Sequence, residues 1–138
     1  MFDKCVELSL AMFDPSFKGR CQHFAFAVYK KRILAIGRNS LKTSPLNLLN
    51  RKISRFGVDF SRIGGTCAEH NCLRRVKNTT NIPFDKIALY VVRINRKGEV
   101  ANSRPCTGCQ SLLRFLGVNN VFYTATDGVW TLYGNSAK

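Results

Sequence analysis

Cys67-Ala68-Glu69 and, further along the chain, Pro105-Cys106-Thr107-Gly108-Cys109 are the two stretches on which the reading of this sequence turns. A Cys-x-x-Cys pair by itself is ambiguous, because redox centres and structural zinc sites use it too. A third thiol with a carboxylate two residues after it narrows the choice. Three protein ligands leave the fourth tetrahedral position of a zinc ion open to water. A carboxylate beside the metal, but not bound to it, can then move protons.

Working outward, each stretch opens a helix. Residues 67–78 and 106–116 both have helical character, the second with Leu112, Leu113 and Leu116 turned inward and Gly117 as its stop. Thr66 would cap the first helix with Glu69 as its capping-box partner, a purely structural use of that carboxylate. Between the two helices, residues 87–94 form an apolar run expected as a buried strand. Upstream, residues 1–13 read as a helix with Val6, Leu10 and Phe13 on one face, stopped by Asp14-Pro15. Residues 24–29 and 33–37 read as strands joined through Lys30-Lys31-Arg32, hence a hairpin. Residues 39–66 form a long mixed segment, in which Leu49, Ile53 and Phe56 have the spacing of a short basic amphipathic helix. Downstream, residues 121–124 are a strand and 130–133 an edge strand. Helices alternating with strands in this order imply an α/β fold in three layers, with a mixed sheet.

Cys67-x-Glu69 followed by Pro105-Cys106-x-x-Cys109 resembles the signature of the zinc-dependent cytidine/deoxycytidylate deaminase superfamily in its all-cysteine form. The resemblance spans roughly residues 22–126. It implies a three-layer α/β/α cytidine-deaminase-like fold with a mixed five-stranded sheet. It also implies one Zn²⁺ per chain on Cys67, Cys106 and Cys109, with Glu69 as the catalytic proton carrier. By the same analogy Ala68 and Ser103 hold the base, Asn39 contacts the sugar, and the chain forms a homo-oligomer. The implied reaction is hydrolytic deamination of cytosine to uracil.

Three thiolates make a net negative zinc site, poorer at generating hydroxide than one with a neutral ligand. Compensating positive charge is therefore expected, from the two helix N-termini and from an arginine donating to a cysteine sulfur. Arg104, Arg74 and Arg75 are the candidates. A fourth ligand, His70 or Cys72, would instead close the site and make it structural, leaving a non-catalytic zinc-stabilised nucleic-acid-binding module.

The 138 residues suit a single domain, residues 1–138, and the 45% hydrophobic content is that of an ordinary globular chain. No apolar run reaches the roughly 18 residues of a membrane span. Asp3, Lys4 and Glu7 break up any signal-peptide core. Reduced cysteines among strands and helices point to a cytoplasmic setting, with Cys5, Cys21 and Cys72 as buried thiols. The charge stands out: 22 Lys and Arg against 8 Asp and Glu, a net +14. Residues 15–58 contain no acid at all and ten basic residues. Such a field suits an anionic pyrimidine nucleotide or nucleoside, or a single-stranded nucleic acid with Phe56, Phe60, Tyr123 and Trp130 as stacking groups. It is not a membrane signal.

Overall fold

Phe24-Ala25-Phe26-Ala27-Val28 makes the two faces of the sheet unlike, with large side chains on one and methyl groups on the other. The computed structural model describes residues 1–17, 21–39, 67–103, 107–125 and 128–131, with the backbone alone at 107, 108 and 128–131. In chain order the elements are α1 (Phe2–Met12), β1 (Gln22–Tyr29), β2 (Arg32–Arg38), α2 (Ala68–Thr79), a 3-10 turn (Phe84–Lys86), β3 (Ala88–Ile94), β4 (Val100–Ala101), α3 (Thr107–Leu116), β5 (Asn120–Ala125) and β6 (Gly128–Thr131). The main path of the sheet is the expected five strands, in the order β2-β1-β3-β5-β6. β3 and β5 are parallel and the other neighbours antiparallel, so the sheet is mixed. A sixth strand, β4, pairs with β3 through only Ala101 and Val100, too short to leave a periodic trace in the sequence.

Phe24, Phe26 and Val28 project with Val92 and Ile94 towards α1, where Phe2, Cys5, Val6 and Met12 cover them. Full burial of a phenylalanine contributes roughly 1.5–3 kcal/mol, so this face anchors α1. Ala25 and Ala27 point the other way, into a core shared with Ala68, Cys72, Leu73 and Val76 of α2 and Leu113 of α3. The three layers are therefore α1, the sheet, and α2 with α3. No helix among the described residues is long and apolar enough to cross a membrane.

Some local expectations are corrected. Leu10 is 45% exposed, whereas Cys5 and Ser9 are fully buried. Small residues line the buried stripe of α1, and Ser9 Oγ donates to Cys5 O at 2.7 Å, which satisfies the hydroxyl. Arg32 belongs to β2, because Tyr29 pairs with Arg32 and leaves a two-residue turn. That turn holds Lys30 and Lys31 at φ 48° and 64°, the conformation that usually selects Asn-Gly. Tyr123 is core, 6% exposed, and not a surface stacking group. The expected basic helix with Leu49, Ile53 and Phe56 lies outside the described residues.

Two glycines do separate jobs. Gly117 ends α3 at φ 83°, with open space where a side chain would stand. Gly37 faces α2 so closely that a Cβ would sit 2.3 Å from Ala68 O and 2.4 Å from Cys72 N. Gly117→Ala is expected to cost about 1 kcal/mol through its left-handed backbone, and Gly37→Ala about 3 kcal/mol through overpacking. Urea unfolding of the two variants checks the order. Replacing Lys30 by Asn together with Lys31 by Gly should stabilise the chain by about 0.5–1 kcal/mol by relieving two left-handed lysines, seen as a raised thermal midpoint.

Candidate active site

The two motif helices start at the same end of the sheet and on the same face. For α2 the landmarks lie on β2. Asn71 Nδ2 donates to Arg38 O at 2.7 Å, and Gly37 abuts Ala68. Arg38 pairs with Phe24, and Phe24 with Val92, near the carboxyl end of β3. For α3 the landmark is Ser103, four residues before the helix. Its hydroxyl donates to Val91 O at 2.6 Å and accepts from Thr124 N at 2.7 Å, bridging the carboxyl ends of β3 and β5. Both helices share the core built on Ala25, Val91 and Tyr123. α2 thus starts towards the end of the sheet at which β3 and β5 have their carboxyl ends, and Ser103, just ahead of α3, is held at that same end, where open α/β sheets place their sites.

Cys67 is the N-cap of α2, with extended backbone at φ −72° and ψ 151° and no side-chain capping bond. This corrects the Thr66 cap. With Cys67 at the cap, Glu69 is the second helical residue and out of capping-box register. Glu69 is 3% exposed, His70 2% and Cys109 1%, all in the first turns of their helices. A carboxylate buried this deeply keeps its charge only beside donors or positive charge. The helix N-terminus is one source, and a cation held by the neighbouring thiols is another. Two thiols and a buried carboxylate at paired helix starts suit a soft, thiolate-binding divalent ion such as zinc. Cys106, the third thiol, lies outside the described residues, among which no group of three candidate ligands occurs.

Other candidates separate by position. Cys72 is fully buried with its thiol donating to Ala35 O at 3.5 Å, directed at the sheet and not at the helix start. Burial pushes it up to about 12. It is a packed thiol and not a fourth ligand. Ala68 is wholly buried in the α2 core. Ser103 is 3% exposed with its hydroxyl engaged by Val91 and Thr124, so its side chain serves the sheet. Asn39 is brought to this end too, but its amide is also engaged. Oδ1 accepts from His23 N at 2.9 Å and Nδ2 donates to Cys21 O at 3.1 Å.

Arg74 and Arg75 are exposed and start about 10–12 Å along the helix from Cys67. Arg75 Nη1 donates to Ile36 O at 2.7 Å, which makes it a tie to β2 and not a donor to a cysteine sulfur. Arg104 lies outside the described residues. Sequence reasoning missed Asn71 and Gly37. Glycine within a strand, a mark of close backbone approach, was the available signal. A cavity of about 130 Å³ at this end of the sheet, lined by Phe13, Asp14, Cys21, Gln22, Ile94 and Arg96 among others, contains none of the motif residues.

No protein-family model and no curated protein matches the sequence. Solved structures do. The dCMP deaminase of cyanophage S-TIM5, in its apo form, superposes with a TM-score of 0.53 at 21% identity, over 92% of this chain and 82% of that one. The cytidine deaminase of Mycobacterium leprae gives 0.53 at 16% identity, over 96% and 90%. That of Mycobacterium tuberculosis gives 0.52 at 15% identity, over 96% and 87%. The chain therefore has the cytidine deaminase-like fold, and the resemblance read from the motifs holds at the level of the fold.

Burial raises Cys5 to about 11 and Cys72 to about 12, so both thiols are neutral in the folded chain at neutral pH. Their folded values exceed the ordinary thiol value, so the stabilisation they contribute is complete below about pH 9 and lost as pH rises through 11 and 12. Thermal midpoints should hold from neutrality to about pH 9 and fall above it. Iodoacetamide should label Cys5 and Cys72 at neutral pH only once the chain is unfolded, as mass spectrometry of digests would show.

Proposed function

We propose that this chain is a zinc-dependent deaminase that hydrolyses the cytosine of a free nucleoside or nucleotide (cytidine, deoxycytidine or dCMP) to uracil. Cys67, Cys106 and Cys109 would hold one Zn²⁺, which when bound supplies an acidified water as the nucleophile. Glu69 would accept a proton from the attacking water as its oxygen adds to C4 of the ring. It would pass that proton to the ring nitrogen, then take the proton of the new C4 hydroxyl and deliver it to the departing amine. The C4–N bond breaks, ammonia leaves, and the oxygen of water remains as the uracil carbonyl. Ala68 and the main chain at Ser103 bound the base. The carboxylate works from a dry position in the first turn of α2, where proton transfer is not diverted to bulk water.

What supports this reading is one placement above all: Glu69, buried to 3% exposure, stands in the first turn of α2 two residues after Cys67, and Cys109, also buried, stands in the first turn of α3. The likeness to solved cytidine and dCMP deaminases adds the fold. The domain is read as the whole of residues 1–138, working as a homo-oligomer in the cytoplasm.

A second reading, cytosine within single-stranded DNA or RNA, is favoured by the net charge of +14. Of the acid-free stretch, Lys30, Lys31 and Arg32 lie at the hairpin tip, level with Ala88 at the start of β3 and so at the far end from Cys67 and Glu69. These three do not form a basic mouth to the site, and the free nucleoside or nucleotide is preferred on the likeness to cytidine and dCMP deaminases.

A panel of cytidine, deoxycytidine, dCMP, dCTP and single-stranded oligonucleotides, with ammonia release as readout, decides between them. We expect turnover of a free substrate with a shallow salt dependence. A steep loss of activity with salt on oligonucleotides alone would favour the second reading. Glu69→Ala should lower turnover by about 10²–10⁴-fold with zinc content and fold retained. Full activity in that variant would rule the mechanism out.

A further inference from the structure

The floor beneath α2 is made of the smallest side chains available. Ala25 pairs with Gly37 and Ala27 with Ala35 across β1 and β2. The helix backbone consequently rests on the strand backbone at Gly37, where Ala68 O and Cys72 N occupy the space of a side chain. β2 is the outer strand of the described sheet, and every second carbonyl turns outward from it. Two of these accept from α2 at 2.7 Å: Arg38 O from Asn71 Nδ2, and Ile36 O from Arg75 Nη1. The spacings agree. Four helical residues advance about 6 Å and two strand residues about 6.6 Å, so the helix runs antiparallel to β2 and in register with it.

Asn71 also stands in the first turn of the helix, whereas Arg75 lies a turn further on. The main-chain N–H of Asn71 donates to Cys67 O at 3.2 Å and closes the first helical turn, which carries Cys67, Ala68 and Glu69. The strand end that its side chain grips is itself held. Asn39, next after Arg38, bonds Cys21 and His23 of the β1 side through its amide, and the Arg38 guanidinium donates to Met12 O at 3.2 Å. The Asn71 amide thus ties the start of α2 to the end of β2.

We propose that Asn71 is a positioning residue for the metal site: its paired bonds to Arg38 O and Cys67 O set where Cys67 and Glu69 stand. This rests on reading Cys67 as a zinc ligand and Glu69 as the proton carrier. A metal site tolerates misplacement of only a few tenths of an ångström in a ligand, and loss of an outer support typically weakens metal affinity about 10–100-fold. Alanine is a better helix former than asparagine, so Asn71→Ala does not weaken α2 through propensity, and any loss comes from the bond to Arg38.

The test compares Asn71→Ala with Val76→Ala in the full-length chain. Val76 is fully buried five residues further along the same helix, and its apolar side chain makes no hydrogen bond. Its truncation is a control for loss of packing without loss of the clamp. Zinc affinity is measured by chelator competition, and Co²⁺-substituted protein supplies the thiolate charge-transfer band. Asn71→Ala should weaken zinc binding about 10–100-fold and shift that band, with circular dichroism unchanged. Val76→Ala should leave both readouts near wild type despite a lower urea midpoint. Equal zinc affinity in the two variants overturns the clamp alone. Zinc uptake by the wild type with no cytosine deamination overturns the functional reading alone. A wild-type chain that takes up no zinc overturns both.

Discussion

The close seating of one helix on one strand pair is the constraint from which the rest of this structure follows. Ala25, Ala27, Ala35 and Gly37 present almost no side chain to α2. The helix can therefore approach until backbone meets backbone at Gly37. At that distance the side chains of Asn71, Cys72 and Arg75 reach the carbonyls of Arg38, Ala35 and Ile36. A side chain at Gly37 would meet Ala68 O and the Cys72 main chain directly and press the helix away from these carbonyls. The same pairs put phenylalanines on the opposite face, where α1 needs bulk to anchor it. One alternating stretch of β1 thus serves a precise contact on one side and a hydrophobic one on the other.

The position of a cysteine relative to a helix start decides its chemistry here. Cys67 is the N-cap of α2, where unpaired N–H groups and the helix dipole favour a thiolate. Cys72 lies on the same helix one turn further in, against the sheet, and burial pushes it up to about 12. The first suits a metal and the second suits packing. Glu69 shares the first turn with Cys67, which lets a carboxylate be buried to 3% exposure without leaving the positive end of the helix. Arginine is not the compensating charge at Arg75, whose guanidinium is held by Ile36 O. In the proposed site the positive ends of α2 and α3 would be the remaining source of that compensation.

Much of this was legible along the chain. The apolar run of β3, the alternation in β1 and the Gly117 stop of α3 are local signals, because a strand's period of two and a helix's end are written within a few residues. The two cysteine motifs were legible for the same reason: the residues of each lie within a few positions of one another in sequence. What escaped was either very short or very distant in sequence. β4 pairs through two residues. The buried stripe of α1 follows Cys5 and Ser9 and leaves Leu10 outside, because the stripe is chosen by the phenylalanines it meets and not by the helix's own hydrophobicity.

The amino-acid sequence by itself supplied the proposed donors, Cys67, Cys106 and Cys109, with Glu69 as proton carrier, and the order of helices and strands, since side-chain chemistry and backbone period are properties of neighbouring residues. Tertiary structure alone decided what the supporting residues do. Asn39 and Ser103, polar and near the motifs, bond the sheet with their side chains. Arg75 grips a strand, and Asn71, unremarked in sequence, holds the helix start. Each of these bonds joins residues that folding alone brings together, and hydrogen-bond geometry acts over about 3 Å of space regardless of separation along the chain.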